Sequence, residues 1–452
     1  MGDRIISLEG ILENETANAL RGLMGEECAL AAAVNVENAS ERVYDCLMLM
    51  EHRGEKSSGI VSVMDGELEW KREMGRTRRV FHDYDFEKKL PGKAAIGHNR
   101  YATAGAHDSK SNIQPFVFKD SRFGPFAIAH NGQLTDLNNM KEKLKESGAL
   151  FQSTTDSELM GHLITHSQEN PIEDAIRDAC YAVTAAYSLL VMTPDKLIGL
   201  RDRFGVRPLS IGKMDGGHLM CSEDYVFDQY KDCHHIRDVE PSEMIIFKRG
   251  NKDFKSIKYA PGKEFFCVFE SIYFSHPRTT YNRFYNEDFR RELGRQIFRE
   301  HPDLRLKGDV VIPILDSGKY AARGLADISG LQCEEHFLRV HNPPRANRRS
   351  FTSSTDEERE KTAYQKLHLR EDKVKRKNVI TVDDSIVRST TMKIINKRLR
   401  EAGVENIINC ISAPPIKNIC PYGMDFQTRK ELAAYDNSIE EIKNNIGADE
   451  LI

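Results

Sequence analysis

Two adjacent carboxylates at the end of an apolar run are the most chemically specific feature of this sequence. Residues 378–382 (NVITV) lead into Asp383 and Asp384. Ser385, Arg388, Ser389, Thr390 and Thr391 follow before a helical stretch opens at Met392. Neighbouring carboxylates accept hydrogen bonds from vicinal hydroxyls. A Ser- and Thr-rich loop that opens a helix offers backbone N–H groups and hydroxyls to an anion. Ligands of open parallel sheets sit beyond the carboxyl ends of the strands. Together these parts suit a sugar with two adjacent hydroxyls and a phosphate close by, and a ribose 5-phosphate fits. The plainer reading has Asp383 capping the turn and Ser385 capping the helix. Capping alone does not call for two acids followed by a run of hydroxyls.

The elements that must position this loop alternate. Asp309–Leu315 is an apolar strand, Lys319–Ile328 a helix, Asn378–Val382 a strand, Met392–Ala402 a helix and Asn406–Ser412 a strand, with a further helix over Glu287–Glu300. Alternation at this spacing predicts βαβ units and a parallel sheet. From Glu27 to about Met244 the pattern differs. Short apolar segments, among them Cys28–Val36, Ala94–His98, Phe126–Ala129, Tyr187–Met192 and Leu197–Leu200, alternate with Gly- and Asn-containing turns and read as strands. Ser40–Glu51 and Ser157–His166 carry apolar residues at helical spacing. Strands, then helices, then strands predict an α+β sandwich. The boundary between the two patterns falls within 245–285.

Size and composition set the frame. The 452 residues suit two or three domains, and 30% charged against 40% hydrophobic residues suits a globular protein with substantial cores. A formal net charge of −4 gives no basic excess for nucleic acid. No apolar run reaches the length of a membrane-spanning helix, and residues 1–27 lack the apolar centre of a secretory signal. Nine cysteines without a CxxC pair argue against a disulfide framework and for a reducing, cytoplasmic compartment.

The segment VITVDDSIVRSTT resembles the phosphoribosyl pyrophosphate (PRPP) loop of type I phosphoribosyltransferases, in the form found in the glutamine PRPP amidotransferase (amidophosphoribosyltransferase) family. The resemblance implies that Asp383 and Asp384 hold the ribose hydroxyls and that Ser385 to Thr391, with Arg388, Ser389 and Thr390, cradle the 5-phosphate. The family usually has glycine at the position of Ser389. Residues 312–319 resemble its pyrophosphate loop, which brings in Asp316, Ser317, Gly318 and Lys319, although Leu315 and Lys319-Tyr320 depart from the common residues. The stretch from Arg348 to Leu367 resembles its flap and implies that Arg349 and Lys366 close over pyrophosphate. Mg²⁺ is implied with PRPP, bound largely through the substrate's own oxygens, with Asp383, Asp384 and Ser317 as the protein groups near it.

A second constellation begins at Cys28. His52-Arg53-Gly54, Gly97-His98-Asn99-Arg100-Tyr101, Ala129-His130-Asn131-Gly132, Ser153 to Glu158 and Arg201 to Pro208 follow it. No one of these is specific alone, and Asn131-Gly132 by itself is a good hairpin turn. Their order and spacing resemble the class II (N-terminal nucleophile, Ntn) glutaminase domain. The resemblance implies that Cys28 attacks the glutamine carbonyl, with its own α-amino group as base. It further implies that the Asn131 side chain and the Gly132 N–H hold the oxyanion, that Arg100 binds the α-carboxylate and that Asp156 binds the α-ammonium. Removal of residues 1–27 is then required to free that amino group. The family has glycine where this chain has Ala29.

The implied architecture is a leader over 1–27, an α+β four-layer αββα (Ntn) sandwich over 28–260, and an α/β type I phosphoribosyltransferase domain with a parallel sheet over 261–452. The implied activity transfers ammonia from glutamine to C1 of PRPP, giving 5-phosphoribosylamine, glutamate and pyrophosphate, the first step of purine synthesis. Purine nucleotides are the implied feedback ligands, and a homo-oligomer is the implied assembly; neither nucleic acid nor membrane is an expected partner. Many family members carry an iron–sulfur cluster on four cysteines. Cys267 and Cys420 match two of those positions, too few to close a cluster, so none is expected here. The departures at Ala29, Lys319 and Ser389 leave a second reading open: a divergent relative that has lost one half-reaction and acts as a PRPP- or nucleotide-binding regulator or partner subunit.

Overall fold

Alanine at alternate positions decides how the first strand packs. Strand β1 (Ala29–Val34) is buried along its whole length. Ala29, Ala31 and Ala33 join the core beneath helix α1 (Ala39–Leu49), with Val43, Cys46 and Leu47, while Leu30, Ala32 and Val34 join the core shared with a second sheet. Successive strand side chains point to opposite faces, so this run is apolar on both sides and needs cover on both. The computed structural model describes residues 28–101, 109–134, 137–183, 185–281, 283–339, 367–420, 422 and 428–452. The expected leader, and Arg349 and Lys366 of the expected flap, lie outside these residues.

The strands that follow are β2 (Ser57–Met64), β3 (Glu67–Met74), β4 (Ala94–Arg100), β5 (Phe116–Asp120), β6 (Gly124–Leu134), β7 (Ala185–Met192) and β8 (Lys196–Arg201). After them come β9 (Ser210–Met214), β10 (Gly217–Cys221), β11 (Cys233–Asp238), β12 (Glu243–Lys248) and β13 (Phe254–Lys258). They form two antiparallel sheets, ordered β11-β9-β10-β1-β4-β2-β3 and β13-β12-β8-β7-β6-β5. The sheets face each other through Leu30, Val61 and Ile96 on one side and Ala127, Leu190 and Ile245 on the other. Helices α3 (Ser157–His166) and α4 (Ile172–Ala182) cover the outer face of the second sheet. The result is the four-layer αββα sandwich. Helices α2 (Leu137–Glu146) and α4 add to the two helices expected in this half. Ile172, Ala175, Ile176 and Ala179 do recur at helical spacing, but half of that stripe is alanine, a weak apolar signal.

Contacts divide the chain into two compact units, with the second starting at Cys267. Its sheet is parallel and ordered β14 (Val310–Pro313), β15 (Asn378–Asp383), β16 (Asn406–Ile411) and β17 (Glu450–Leu451). Helices α5 (Asn286–Glu300) and α6 (Lys319–Ser329) cover one face, where Ile297, Ala321 and Leu325 meet Val311, Ile380 and Val382. Helices α7 (Thr390–Glu401) and α8 (Ile439–Ile446) cover the other, where Met392, Leu399 and Ile442 meet Ile312, Val379 and Ile407. Each fully buried Leu or Ile contributes ~1.5–3 kcal/mol. A parallel sheet buried on both faces reads as continuous apolar runs, which explains why its elements were legible from sequence.

Candidate active site

Cys28 lies directly before β1 and is fully buried. Its backbone N–H donates to Asn131 Oδ1 at 3.0 Å. Since a backbone N–H can only donate, this contact fixes which end of the Asn131 amide is oxygen. Asn131 Nδ2 is buried and has no hydrogen-bond partner among the described residues. A buried, unsatisfied amide donor costs about 1–3 kcal/mol, so its persistence beside a thiol points to a ligand that accepts from it. The hairpin-turn alternative for Asn131-Gly132 is corrected here. Both residues lie within the β6–β7 ladder, opposite Ser188 and Tyr187. Gly132 has φ +146°, and a Cβ there would stand 2.2 Å from the Ala186 carbonyl oxygen, so only glycine fits.

Arg100 is placed by register. Asn99 pairs with Ala29, so Arg100, the last residue of β4, comes beside Cys28 at the same strand ends, and it is buried. His98 and Asn99 position it: His98 Nε2 lies 3.1 Å from the His130 carbonyl oxygen, and Asn99 Nδ2 donates to Leu47 O at 2.8 Å. Asp156, at the N-terminal end of α3, accepts from the Leu134 N–H at 2.8 Å. It thus sits at the end of the strand that carries Asn131. Asp156 keeps some surface overall, but enclosure of its carboxyl group pushes the pKa up to about 6, against the lowering effect of the Leu134 N–H. Behind it, Ser157 Oγ accepts from Gln114 Nε2 at 2.9 Å and lies 3.0 Å from His130 Nδ1. Burial pushes His130 down to about 3, so this network stays uncharged at neutral pH.

Two residues that brace the Cys28 backbone escaped the sequence reading. Arg53 belongs to a motif that carried no assigned role, and Glu223 stands in no motif at all. Arg53 Nε donates to the Cys28 carbonyl oxygen at 3.0 Å, while Arg53 Nη1 and His52 Nε2 reach Glu223 Oε1 at 2.8 and 2.9 Å. Arg53 and Glu223 are both fully buried. Burial disfavours the Glu223 carboxylate, but the His52 and Arg53 contacts outweigh it and hold its pKa well below the usual range. Removing either partner would leave an uncompensated buried charge. No local signal joins positions 170 residues apart.

The second unit places the expected residues of 316–319 and 383–391 at the carboxyl ends of β14 and β15. Asp383 and Asp384 are both buried, and the Asp384 N–H donates to Asp383 Oδ1 at 2.9 Å. Ser317 Oγ donates to Asp384 Oδ1 at 2.5 Å and Ser385 Oγ to Asp384 Oδ2 at 2.7 Å. Those two bonds join the loops around 317 and 385. Burial, reinforced by the Asp384 charge, pushes the Asp383 carboxyl well above the usual carboxylate range. Asp316, Ser317 and Gly318 form the turn into α6, where a Cβ on Gly318 would stand 2.2 Å from the Val382 carbonyl oxygen. Ser389, Thr390 and Thr391 open α7. Two expected ligand cations are engaged elsewhere: Lys319 Nζ is 2.8 Å from Glu335 Oε1, and Arg388 Nε donates to Glu431 Oε2 at 2.8 Å. Of the two cysteines matched to cluster positions, Cys267 belongs to the second unit and donates its N–H to Tyr281 Oη at 3.4 Å, while Cys420 belongs to the first and its Sγ accepts from the Tyr422 N–H at 3.4 Å.

Among the described residues no group of three or more His, Cys, Asp or Glu side chains could hold a metal alone. The paired, buried Asp383 and Asp384 fit a Mg²⁺ ion that arrives with a pyrophosphate, which needs only one or two carboxylates from the protein. No helix among the described residues is long and apolar enough to cross a membrane.

The fold and these two centres define a glutaminase of the Ntn class joined to a type I phosphoribosyltransferase. Residues 98–229 match the glutamine amidotransferase domain family. The chain is 35% identical over 433 residues to the amidophosphoribosyltransferase of Bacillus subtilis, covering 96% of this chain and 88% of that protein. It is 37% identical to that of Pyrococcus horikoshii, covering 96% and 92%. The solved B. subtilis glutamine PRPP amidotransferase, complexed with ADP and GMP, superposes with a TM-score of 0.84 at 34% identity, covering 94% of this chain and 90% of that one. The chain belongs to the amidophosphoribosyltransferase family, glutamine-dependent transferases of purine biosynthesis.

Proposed function

We propose that Cys28 releases ammonia from glutamine and that the second unit adds it to C1 of PRPP, giving 5-phosphoribosylamine, glutamate and pyrophosphate. The observation that carries this reading is Asn131, whose amide oxygen holds the Cys28 nitrogen while its buried NH₂ group has no partner among the described residues. Once the peptide bond to residue 27 is cleaved, that nitrogen is a free amine with a reference pKa of about 7.7–8.0, suited to take the thiol proton. The thiolate attacks the side-chain carbonyl carbon, and the oxyanion is received by Asn131 Nδ2 and the Gly132 N–H. Collapse expels ammonia with the proton held on the amine, and water then hydrolyses the thioester to glutamate. Arg53 keeps the Cys28 carbonyl, and with it the thiol, in place.

At the second centre Asp383 and Asp384 accept the two ribose hydroxyls, and the N–H groups opening α7, with Ser385, Thr390 and Thr391, receive the 5-phosphate. The turn at 316–318 presents backbone to the pyrophosphate. For Lys319 and Arg388 to reach phosphate oxygens, each must leave its carboxylate partner. Asp383 and Asp384 would hold a Mg²⁺ ion brought in with PRPP, which would offset charge on the leaving pyrophosphate. Purine nucleotides as feedback ligands are supported by the relative solved with ADP and GMP. A homo-oligomer is the expected assembly.

The test is pyrophosphate release from PRPP, measured with glutamine and then with an ammonium salt, using protein whose N-terminus has been read by intact mass. Release with both nitrogen sources is expected. Release with neither sinks the proposal.

Asp156 sets a pH limb on the first half-reaction. A carboxyl titrating near 6 in the free protein holds a proton below that pH and cannot pair with the glutamine ammonium. KM for glutamine is therefore expected to climb as pH falls through about 6, by up to ~10-fold per unit, with kcat moving less. In Asp156→Asn that limb should vanish and KM at neutral pH should already be high. An unchanged limb in the variant removes Asp156 from the ammonium site.

A further inference from the structure

Strand β5 begins at Phe116, yet its pairing with β6 reaches back two residues further. Phe116 stands opposite Ile128, so in the same antiparallel register Gln114 falls opposite His130. The residue between, Pro115, has no N–H to give to a ladder. The Gln114 side chain takes the place of the backbone. A primary carboxamide carries the same kinds of donor and acceptor as a peptide group. Gln114 Oε1 accepts from the His130 N–H at 2.7 Å, and Gln114 Nε2 lies 3.4 Å from the His130 carbonyl oxygen. The first contact fixes which end of the amide is oxygen, because a backbone N–H only donates.

Further contacts make this pairing a junction. Gln114 Nε2 donates to Ser157 Oγ at 2.9 Å, and Ser157 Oγ lies 3.0 Å from His130 Nδ1 and 3.5 Å from Asp156 Oδ1. His98 Nε2 reaches the same His130 carbonyl oxygen at 3.1 Å. The backbone around Gln114 is anchored on the opposite sheet. A Cβ on Gly59 of β2 would stand 2.2 Å from the Gln114 carbonyl oxygen, and Arg72 Nη1 of β3 donates to Ile113 O at 3.2 Å and to Pro115 O at 2.9 Å. Gln114, His130 and Ser157 are all buried, where a polar group that loses its partner costs ~1–3 kcal/mol. The neighbours of these junction points are the residues proposed to hold glutamine: Asn131 follows His130, Asp156 precedes Ser157, and Arg100 is two residues from His98. We propose that Gln114 is a positioning residue for the glutaminase reaction. Its one carboxamide sets the Asn131 strand, which receives the oxyanion, against the Asp156 turn, which receives the α-ammonium. The inference rests on the glutamine reading of the Cys28 centre. Glutamine offers its side-chain amide to one group and its ammonium to the other, so a strut that fixes their separation serves both binding and attack. Gln114 acts through its neighbours and not on the substrate.

The test uses the full chain, its N-terminus read by intact mass, as wild type, Gln114→Met and Ser157→Ala. Methionine keeps the length of the side chain and removes both arms. Ser157→Ala removes only the arm beside Asp156. Steady-state rates with glutamine and with an ammonium salt are set beside the melting temperature. A misplacement of about 1 Å by a residue away from the chemistry costs ~10²-fold. Gln114→Met is expected to lose that much kcat/KM for glutamine, shared between a higher KM and a lower kcat. Ser157→Ala should raise KM by ~10-fold, the scale of one hydrogen bond, with kcat nearly unchanged. Synthesis from ammonia should match the wild type in both. A purely structural glutamine would lower the melting temperature and the folded fraction, which scales kcat and leaves KM alone. Wild-type KM for glutamine in Gln114→Met overturns the inference; where that variant does not fold, wild-type KM in Ser157→Ala overturns it. A wild-type protein that makes phosphoribosylamine from ammonia and not from glutamine overturns the glutamine reading itself.

Discussion

Cys28→Ala is expected to abolish synthesis of phosphoribosylamine from glutamine, by on the order of 10⁴-fold or more, while synthesis from an ammonium salt persists. The argument is geometric as well as chemical. Cys28 is the thiol whose own nitrogen is held by Asn131 and whose carbonyl is held by Arg53. Three other buried thiols, Cys180, Cys221 and Cys410, are raised by burial and stay protonated. The variant keeps the β-carbon and loses the sulfur alone, so β1 should pack as before. An intact-mass spectrum supplies a second readout. In the wild type, loss of the mass of residues 1–27 and one adduct from a glutamine-analogue electrophile such as diazo-oxo-norleucine are expected. The alanine variant should take no adduct. An adduct elsewhere on the chain, or glutamine-driven synthesis surviving in the variant, would remove Cys28 from the chemistry.

Replacing Asp383 and Asp384 together by asparagine should disable synthesis from either nitrogen source. Each carboxylate is assigned a charge-assisted bond to a ribose hydroxyl, at ~1.5–3 kcal/mol apiece, so kcat/KM for PRPP should fall roughly 10²–10⁴-fold. Failure with ammonia as well as glutamine separates this variant from Cys28→Ala. Stability should move the other way. Asp383 has its folded-state pKa raised, first by burial and then by Asp384. The native state therefore binds a proton more tightly than the unfolded chain does. For such a group stability falls as pH rises from the unfolded value toward the folded one and is lowest above both. At neutral pH an uncharged amide in place of the Asp383 carboxyl removes that penalty, and the unliganded double variant is expected to melt above the wild type. A variant that melts lower and binds PRPP normally would mean that the pair serves the fold alone.

These expectations share a physical theme. Asn131 Nδ2 and the Asp383–Asp384 pair are each unfavourable in the unliganded protein, and under the proposed function each would be relieved by a group that the substrate carries. Free-protein stability is given up at the places where binding recovers it.

Much of the second unit was legible in the order of its residues. Expected spans for the helix over 287–300 and for β15 and α7 differ from the observed ones by no more than two residues at either end. Strands buried on both faces and amphipathic helices are written in periodicities of a few residues, and the loop that ends β15 is contiguous in the chain. Its Asp383, Asp384 and Ser385 therefore carried their chemistry in their order. The glutaminase half carried its residue types in order as well. What sequence order could not hold was which of them meet. Cys28 and Asn131 are 103 residues apart, Arg53 and Glu223 170, and Ser317 and Asp384 67. Asn131-Gly132 read locally as a turn, because two residues cannot signal that a strand continues through them; the ladder with β7 overruled that preference. Lys319 and Arg388 read as phosphate ligands, and the carboxylates that engage them, Glu335 and Glu431, were not legible beside them. Local hydrogen bonding and apolar periodicity act over one or two turns of chain, so they are legible in a window of sequence. Pairing between distant strands is fixed only by how the sheets close, and for that reason the tertiary structure alone decided the geometry of the Cys28 centre.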